Sequence, residues 1–289
     1  MNLKLQSHIE KELDPIGLFN SNFIWKSIGG GSINQVYKVF NSQQEFFIKI
    51  NSITVFQNGF KEEVLGLKFL KKNKAMVPEI ISEGIFENYI YLVLEWIEEG
   101  EQNNNFWKNF ALQLSELHRH KSDSFGLKYD NFMGELLQKN TFKDNFTDFF
   151  IENRLKPQVE MAFNKGLLKA TNLNQFENLY IQLTSIFPTE NPCAIHGDLW
   201  SGNFIANEKE KAVFIDPAVY HGHREIDLAM SLLFGGFKDE FYTTYQEIYP
   251  LEKGFIKRKD IYNMYPLLVH LNLFGSTYYS SIDTIVSKF

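Results

Sequence analysis

One stretch constrains this chain more than any other: His196-Gly197-Asp198-Leu199-Trp200-Ser201-Gly202-Asn203, followed shortly by Ile215-Asp216-Pro217. It sets two carboxylates and an amide at fixed separations. An apolar segment, Cys193-Ala194-Ile195, leads into it, and a strand-like one, Lys211-Ala212-Val213-Phe214-Ile215, separates its halves. A single Asp in such a loop would need no more explanation than a turn whose side chain satisfies backbone donors. The whole set points to a site.

The separation of Asp198 from Asn203 is that of H-R-D-L-x-x-x-N, the catalytic loop of phosphoryl transfer. There the Asp orients or deprotonates the acceptor hydroxyl and the Asn holds Mg²⁺. Asp216, after a short strand, stands where such enzymes keep the second metal ligand. Near the N-terminus, Gly29-Gly30-Gly31-Ser32 lies between a strand pattern at residues 22–28 and the alternating run Gln35-Val36-Tyr37-Lys38-Val39-Phe40. Glycines there let backbone N–H groups approach phosphates. Gly29, Gly31 and Val36 match the loop pattern G-x-G-x-x-G-x-V, with Asn34 where the third glycine would stand. After a turn at 41–44, Glu45-Phe46-Phe47-Ile48-Lys49-Ile50 reads as the returning strand. Its Lys49 resembles the V-A-I-K lysine that contacts the α- and β-phosphates. Such a lysine needs a helix glutamate to hold it. Apolar positions at 60, 64, 67 and 70 predict an amphipathic helix over 60–72, and Glu63 is the candidate, with Glu62 as its alternative.

The totals allow this. The 289 residues suffice for one large domain or two lobes, and a hydrophobic share of 44% supports a sizeable core. The 28 Phe and 13 Tyr suggest an aromatic-rich interior. A net charge of −6 argues against a nucleic-acid surface, and the short cluster Lys71-Lys72-Asn73-Lys74 reads as a solvated helix end. The one cysteine, Cys193, sits in an apolar run and reads as a buried structural thiol; it permits no disulfide within the chain. The N-terminal residues lack a signal-peptide core, and no run approaches eighteen apolar residues, so a soluble cytoplasmic protein without a membrane span is expected.

In chain order, residues 3–13 predict a short amphipathic helix, 78–84 an extended segment and turn, and Tyr89–Ile97 a buried strand. The polar stretch at 98–105 marks a lobe boundary, giving an ATP-binding lobe over 1–97 and a catalytic and substrate lobe over 98–289. Backbone at Glu95, Trp96 and Ile97 would meet adenine. Beyond it the chain reads as helical at 106–118, 147–158, 173–186 and through most of 238–289. His118 and His120 read as a helix end rather than a metal pair, and Asp227 as structural, capping a helix or bracing the catalytic loop.

With these residues in view, the chain resembles the fructosamine kinase (ketosamine-3-kinase) family, a branch of the protein-kinase-like and aminoglycoside-phosphotransferase-like fold. The matches are His196 through Asn203 with its Trp200-Ser201-Gly202, then Asp216-Pro217-Ala218 and Tyr220-His221-Gly222-His223-Arg224-Glu225-Ile226-Asp227. Phe125-Gly126, the Asp130-Asn131 and Gly134 region, Arg154-Leu155 with Pro157-Gln158, and Tyr265-Pro266 through Gly275 also look like family positions. The resemblance implies an α+β, two-lobed fold: a small antiparallel-sheet lobe with one helix and a larger, mainly helical lobe. It also implies ATP- and Mg²⁺-dependent phosphorylation of the 3-hydroxyl of a ketosamine, whose unstable product releases the amine. By position Asp198 is the base, Asn203 and Asp216 the Mg²⁺ ligands, Lys49 the phosphate contact and Glu63 its orienter. Trp200, His223 and Glu225 would shape the sugar side. Some members carry a cysteine in the glycine loop that links two chains; Ser32 and Ile33 stand there, so no disulfide-linked dimer is expected. The alternatives are a kinase of another hydroxylated small molecule, of aminoglycoside or amino alcohol type, or a non-catalytic nucleotide-binding protein.

Overall fold

The computed structural model describes residues 2–14, 22–29, 34–54 and 60–289. Gly30, Gly31 and Ser32 of the glycine loop lie outside them. The N-terminal part runs α1 (Leu3–Leu13), β1 (Ile24–Ser27), β2 (Gln35–Phe40), β3 (Glu45–Ser52), α2 (Lys61–Lys72), β4 (Ile80–Phe86) and β5 (Tyr89–Glu95). The five strands form one antiparallel sheet in the order β1-β2-β3-β5-β4. The segment expected to be extended with a turn is thus the edge strand β4, which turns back into β5 at Glu87, where φ is +51°.

Strand period decides which side chains meet which helix. Phe46, Ile48 and Ile50 of β3, with Tyr91 and Val93 of β5, face α1 and pack on its buried Leu5, Ile9 and Leu13. Those three lie four residues apart, one stripe of the helix. Asn2 caps α1, its side chain accepting from the Lys4 and Leu5 N–H groups. Each such buried aliphatic contributes about 1.5–3 kcal/mol. The alternate residues, Phe47 and Lys49 of β3 and Ile90, Leu92 and Leu94 of β5, face α2 with Val64 and Leu67. The sheet therefore carries a helix on each face, and the register puts Lys49 on the α2 side.

The remainder is mainly helical: α3 (Asn104–Arg119), the hairpin β6 (Asn131–Met133) and β7 (Leu136–Gln138), α4 (Phe146–Phe150), a π-helical turn (Ile151–Leu155), α5 (Lys156–Asn164) and α6 (Ala170–Ile186). Then come β8 (Cys193–Ile195), β9 (Phe204–Ala206), β10 (Ala212–Phe214), β11 (Tyr220–Gly222), α7 (Glu225–Leu233), α8 (Asp239–Ile248), α9 (Phe255–Tyr262), α10 (Met264–Phe274), a 3₁₀ turn (Ser276–Tyr278) and α11 (Tyr279–Val286). Much of the phenylalanine surplus is spent where α3 meets α8 and the hairpin β9–β10. There Phe106, Trp107, Phe110, Phe204, Phe237 and Phe241 pack edge-to-face, tilted and stacked, with centroids 4.7–6.4 Å apart. Cys193 is buried, and that burial pushes its thiol up to about 12, as suits a structural thiol. No helix among the described residues is long and apolar enough to cross a membrane.

Among the contacts that join the sheet region to this core, two lie on and beside α2. Leu70 and Ala75, at and just beyond the end of α2, lie in the large core. One turn after Glu63, Gly66 approaches Pro217 so closely that a Cβ would come within 2.9 Å of its ring. That approach brings α2 beside Asp216.

Candidate active site

Short paired strands hold both halves of the central stretch. β8 pairs with β11 and β9 with β10, so the loop 196–203 runs from β8 to β9 and Asp216 lies between β10 and β11. The Ile215 N–H donates to the Asn203 carbonyl (3.1 Å) and the Ala218 N–H to the His196 carbonyl (3.0 Å), tying the two loops together. Gly197 makes the turn at φ +84°, where a Cβ would collide with the Ala218 carbonyl oxygen.

Asp227, buried at the start of α7, braces that turn. Its Oδ2 accepts from the His196 N–H (2.8 Å) and its Oδ1 from the Gly197 N–H (2.9 Å). A third donor is the His118 Nε2–H at 3.2 Å, while His118 Nδ1 accepts from the Tyr245 hydroxyl at 2.7 Å. His118 is therefore part of the brace. His196 works the same way: its Nε2–H donates to the Ile215 carbonyl (3.0 Å) and its Nδ1 accepts the Asp198 N–H (3.3 Å). Both imidazoles must be neutral to do this, and burial holds both below their ordinary pKa despite Asp227.

Asn203 Nδ2 donates to the Asp198 carbonyl (2.8 Å) and to Asp198 Oδ2 (2.9 Å). With the nitrogen so engaged, Oδ1 is the atom left for a cation. Burial pushes the Asp198 carboxyl up to about 7, the Asn203 amide pulling against it and Asp216 and Asp227 adding to the rise. A base near neutrality suits proton transfer from a hydroxyl.

Lys49 Nζ donates to Glu63 Oε1 at 2.8 Å and forms a short contact with Asp216 Oδ1. Glu63, not Glu62, is the partner. Burial opposes the lysine's charge, but the Asp216 and Glu63 carboxylates outweigh it and hold its pKa above the usual value. Burial pushes Glu63 up to about 7 against the pull of Lys49, while Lys49 overcomes burial at Asp216 and holds its pKa down. Asp216 takes φ +49°, a left-handed conformation that Asp tolerates better than most residues and that collects at functional sites. Asn203 Oδ1 and the Asp216 carboxylate are hard oxygen donors of the kind Mg²⁺ selects, so the residues present fit that ion.

Glu95 ends β5, and its carboxylate accepts the Glu79 N–H (3.1 Å). Trp96 turns its ring toward Lys38 (4.3 Å) and its Nε1–H toward Glu98. The Glu95 backbone N–H donates to the Glu79 carbonyl (2.9 Å). Around Gly29 a Cβ would meet open space. Trp200 folds back over Gly202, where any Cβ would strike the indole, and meets Phe234 edge-on at 5.9 Å. Phe234 in turn lies 5.1 Å from His270, whose Nδ1–H donates to the Pro266 carbonyl (2.7 Å), leaving Nε2 to accept. Phe234 and His270 extend the face that Trp200 begins, yet no spacing relative to Asp198 announces them.

A model of the family described as fructosamine kinase matches residues 18–289. The chain belongs to the fructosamine kinase family. Its members are phosphotransferases acting on a hydroxyl group of ketoamines. A relative from Enterococcus faecium named "probable ketoamine kinase" is 38% identical over 262 residues, covering 90% of this chain and 93% of that one. The Arabidopsis thaliana "protein-ribulosamine 3-kinase, chloroplastic" is 33% identical over 277 residues, covering 91% and 81%. A crystal structure of a candidate fructosamine-3-kinase from Haemophilus somnus superposes with a TM-score of 0.86 at 29% identity, over 99% of both chains. An aminoglycoside phosphotransferase, in a ternary complex with AMP-PNP and hygromycin B, shares the fold at a TM-score of 0.64 and 13% identity, over 97% and 98% of the two chains. The kinase-like fold of the family is thus that of this chain.

One part of the family motif lies elsewhere than expected. His223 is 1% exposed, stacked on Phe146 at 3.7 Å, with its Nδ1 3.1 Å from the Tyr262 hydroxyl. Glu225 is fully buried, and both its oxygens are taken by Arg258 at 2.8 and 2.6 Å. Arg224 bridges Glu190 and the Tyr249 and Pro250 carbonyls. The run His223-Arg224-Glu225 is a buried brace between α7, α9 and the segment before β8, and the expectation that Glu225 faces the sugar is corrected because Arg258 takes both its oxygens; His223 keeps its Nε2 without a partner among the described residues.

The brace has a pH signature. Burial, with the Arg258, Lys121 and Arg224 charges, lowers His223 to about 3. Unfolding returns it to its ordinary 6.5, so the unfolded chain binds the proton first. Stability from this group is full above pH 6.5 and is lost as pH falls toward about 3. His223→Gln should flatten the fall of unfolding free energy between pH 6 and 4 by up to about 1.4 kcal/mol per pH unit. Denaturant titrations across that range check it, and an unchanged slope would contradict the assignment.

Proposed function

We propose that the chain transfers the γ-phosphoryl group of ATP to the 3-hydroxyl of a ketosamine, the sugar adduct of an amine. The observation that carries this reading is the convergence of Asp198, Asn203, Asp216 and Lys49 on one cleft of a fructosamine kinase fold. Residues 1–97 bind the nucleotide, with Lys49, oriented by Glu63, on its phosphates and the backbone at 95–97 on its base. Residues 98–289 carry the acceptor.

The 3-hydroxyl attacks the γ-phosphorus, forming one O–P bond as the bond to the ADP oxygen breaks. The hydroxyl proton passes to Asp198, which the Asn203 amide holds in place. Asn203 Oδ1 and Asp216 would hold Mg²⁺, which supplies neutralising charge on the phosphates when bound. Trp200, Phe234 and His270 offer the sugar flat faces and one acceptor nitrogen. The 3-phosphate is unstable and releases the amine, which makes the reaction a deglycation.

ADP release with Mg²⁺ and ATP over fructose, ribulose, erythrulose and psicose adducts of lysine tests this, with aminoglycosides and amino alcohols as controls. Turnover confined to the ketosamines is expected. Turnover confined to the controls, or none, would overturn it.

A further inference from the structure

Arg154 is the penultimate residue of the π-helical turn, and the phosphoryl-transfer set does not use it. It is 0% exposed, and among the described residues no carboxylate pairs with it. Nη1 donates to the Lys139 carbonyl and to that of Asn153 (3.1 Å), Nη2 to Asn140 Oδ1 (2.8 Å), and Nε to nothing among the described residues. The guanidinium carbon lies 4.0 Å from the Tyr220 ring centroid, 4.6 Å from Phe149 and 5.3 Å from Tyr265. A buried cation without a counter-charge is costly, and an apolar side chain of the same volume would avoid that cost. Core packing alone does not call for an arginine here.

What the guanidinium touches leads to the site by two routes. Tyr220 pairs across from Ile195, the residue before His196, and its ring edge lies 3.3 Å from where a Gly197 Cβ would be. The second route is a ladder of buried amides. Asn140 Nδ2 and Gln138 Nε2 both donate to Asn131 Oδ1 at 2.8 Å. Gln138 Nε2 also donates to the Ala218 carbonyl (3.0 Å), and Asn131 Nδ2 to that of Val219 (2.9 Å). Those carbonyls follow directly on Asp216-Pro217, and the Ala218 N–H is itself bonded to the His196 carbonyl. One planar fork thus reaches, through Tyr220 and through Asn140, both the loop that carries Asp198 and the backbone that carries Asp216.

We propose that Arg154 is a positioning residue for phosphoryl transfer, fixing the catalytic loop against the Asp216 segment through Tyr220 and the Asn140-Asn131-Gln138 ladder. The inference rests on the roles given above to Asp198 and Asp216. Arginine suits the task because its rigid fork donates in one plane while its face stacks on an aromatic ring; lysine keeps the charge and loses both.

The test is steady-state kinetics of Arg154→Lys and Gln138→Met, per folded molecule as judged by circular dichroism. Gln138→Met cuts the far end of the ladder without touching the arginine, so it carries the test if the lysine variant does not fold. The kcat should fall roughly 10- to 100-fold, with KM for ATP and for the ketosamine within about threefold, as a displacement of reacting groups predicts. A folded variant with wild-type kcat, or one altered only in KM, would overturn the proposal. Wild-type turnover of a ketosamine is measured alongside: its absence sinks the functional reading, while its presence with unaffected variants sinks only the role of Arg154.

Discussion

Asp198→Asn is expected to lower kcat by roughly 10²- to 10⁴-fold, the range a positioned general base contributes, with KM for ATP nearly unchanged. The asparagine can still present an oxygen to Asn203 Nδ2, which donates 2.9 Å from the native carboxylate. The loop should therefore persist, since its turn is braced independently by Asp227. What is lost is the acceptor for the hydroxyl proton. The check is single-turnover and steady-state ADP release, with ATP binding followed by thermal shift. Retained turnover would remove Asp198 from the role of base; lost ATP binding would show that the substitution acts on the fold of the cleft.

Asp216→Asn should also lower kcat by roughly 10²-fold or more, the scale of removing one preorganised charge from a phosphoryl-transfer site. It should raise the Mg²⁺ concentration needed for half-maximal rate as well. Asparagine accepts the left-handed backbone that Asp216 adopts at φ +49°, so strain does not confound the result. Lys49 keeps Glu63 at 2.8 Å. Removing the second carboxylate also removes one influence that raises the Glu63 pKa, which favours the charged pair. Rates measured across a Mg²⁺ series decide the matter. An unchanged Mg²⁺ dependence would refute the ligand role.

The parts legible in the sequence are those governed by short-range rules. Strand alternation alone puts Lys49 on the face opposite Phe46, Ile48 and Ile50, and helix period puts Glu63 on the same stripe of α2 as Phe60, Val64 and Leu67. The geometry then needs one contact, Lys49 to Glu63, to make the pair. Asp198 and Asn203 are legible because one loop spans them. Glu225 was misplaced, and the burial of His223 was missed, for a physical reason: adjacency to Asp216 in sequence says nothing about burial, which is set by Phe146 and Tyr262 from α4 and α9 and by Arg258 from α9. Arg258 is 33 residues from Glu225, and no local pattern pairs them. The contact of Phe234 with His270 and the bonds of the Asn140-Asn131-Gln138 ladder are hidden likewise, although His270 and Asn131 lie in stretches that resemble the family. Asp227 is a middle case. Its bracing of the loop was one of two readings open from sequence, but its contact with His118, 109 residues away, was not foreseeable.

The central claim is that phosphate is delivered to one particular hydroxyl of a ketosamine. The most direct measurement is the ³¹P- and ¹³C-NMR spectrum of the product formed from ATP, Mg²⁺ and a fructose–lysine adduct labelled at sugar carbon 3. Phosphorus coupling at carbon 3, followed by release of free lysine as that product decays, is the predicted result. Coupling at any other carbon, or a stable product that retains its amine, would contradict the account.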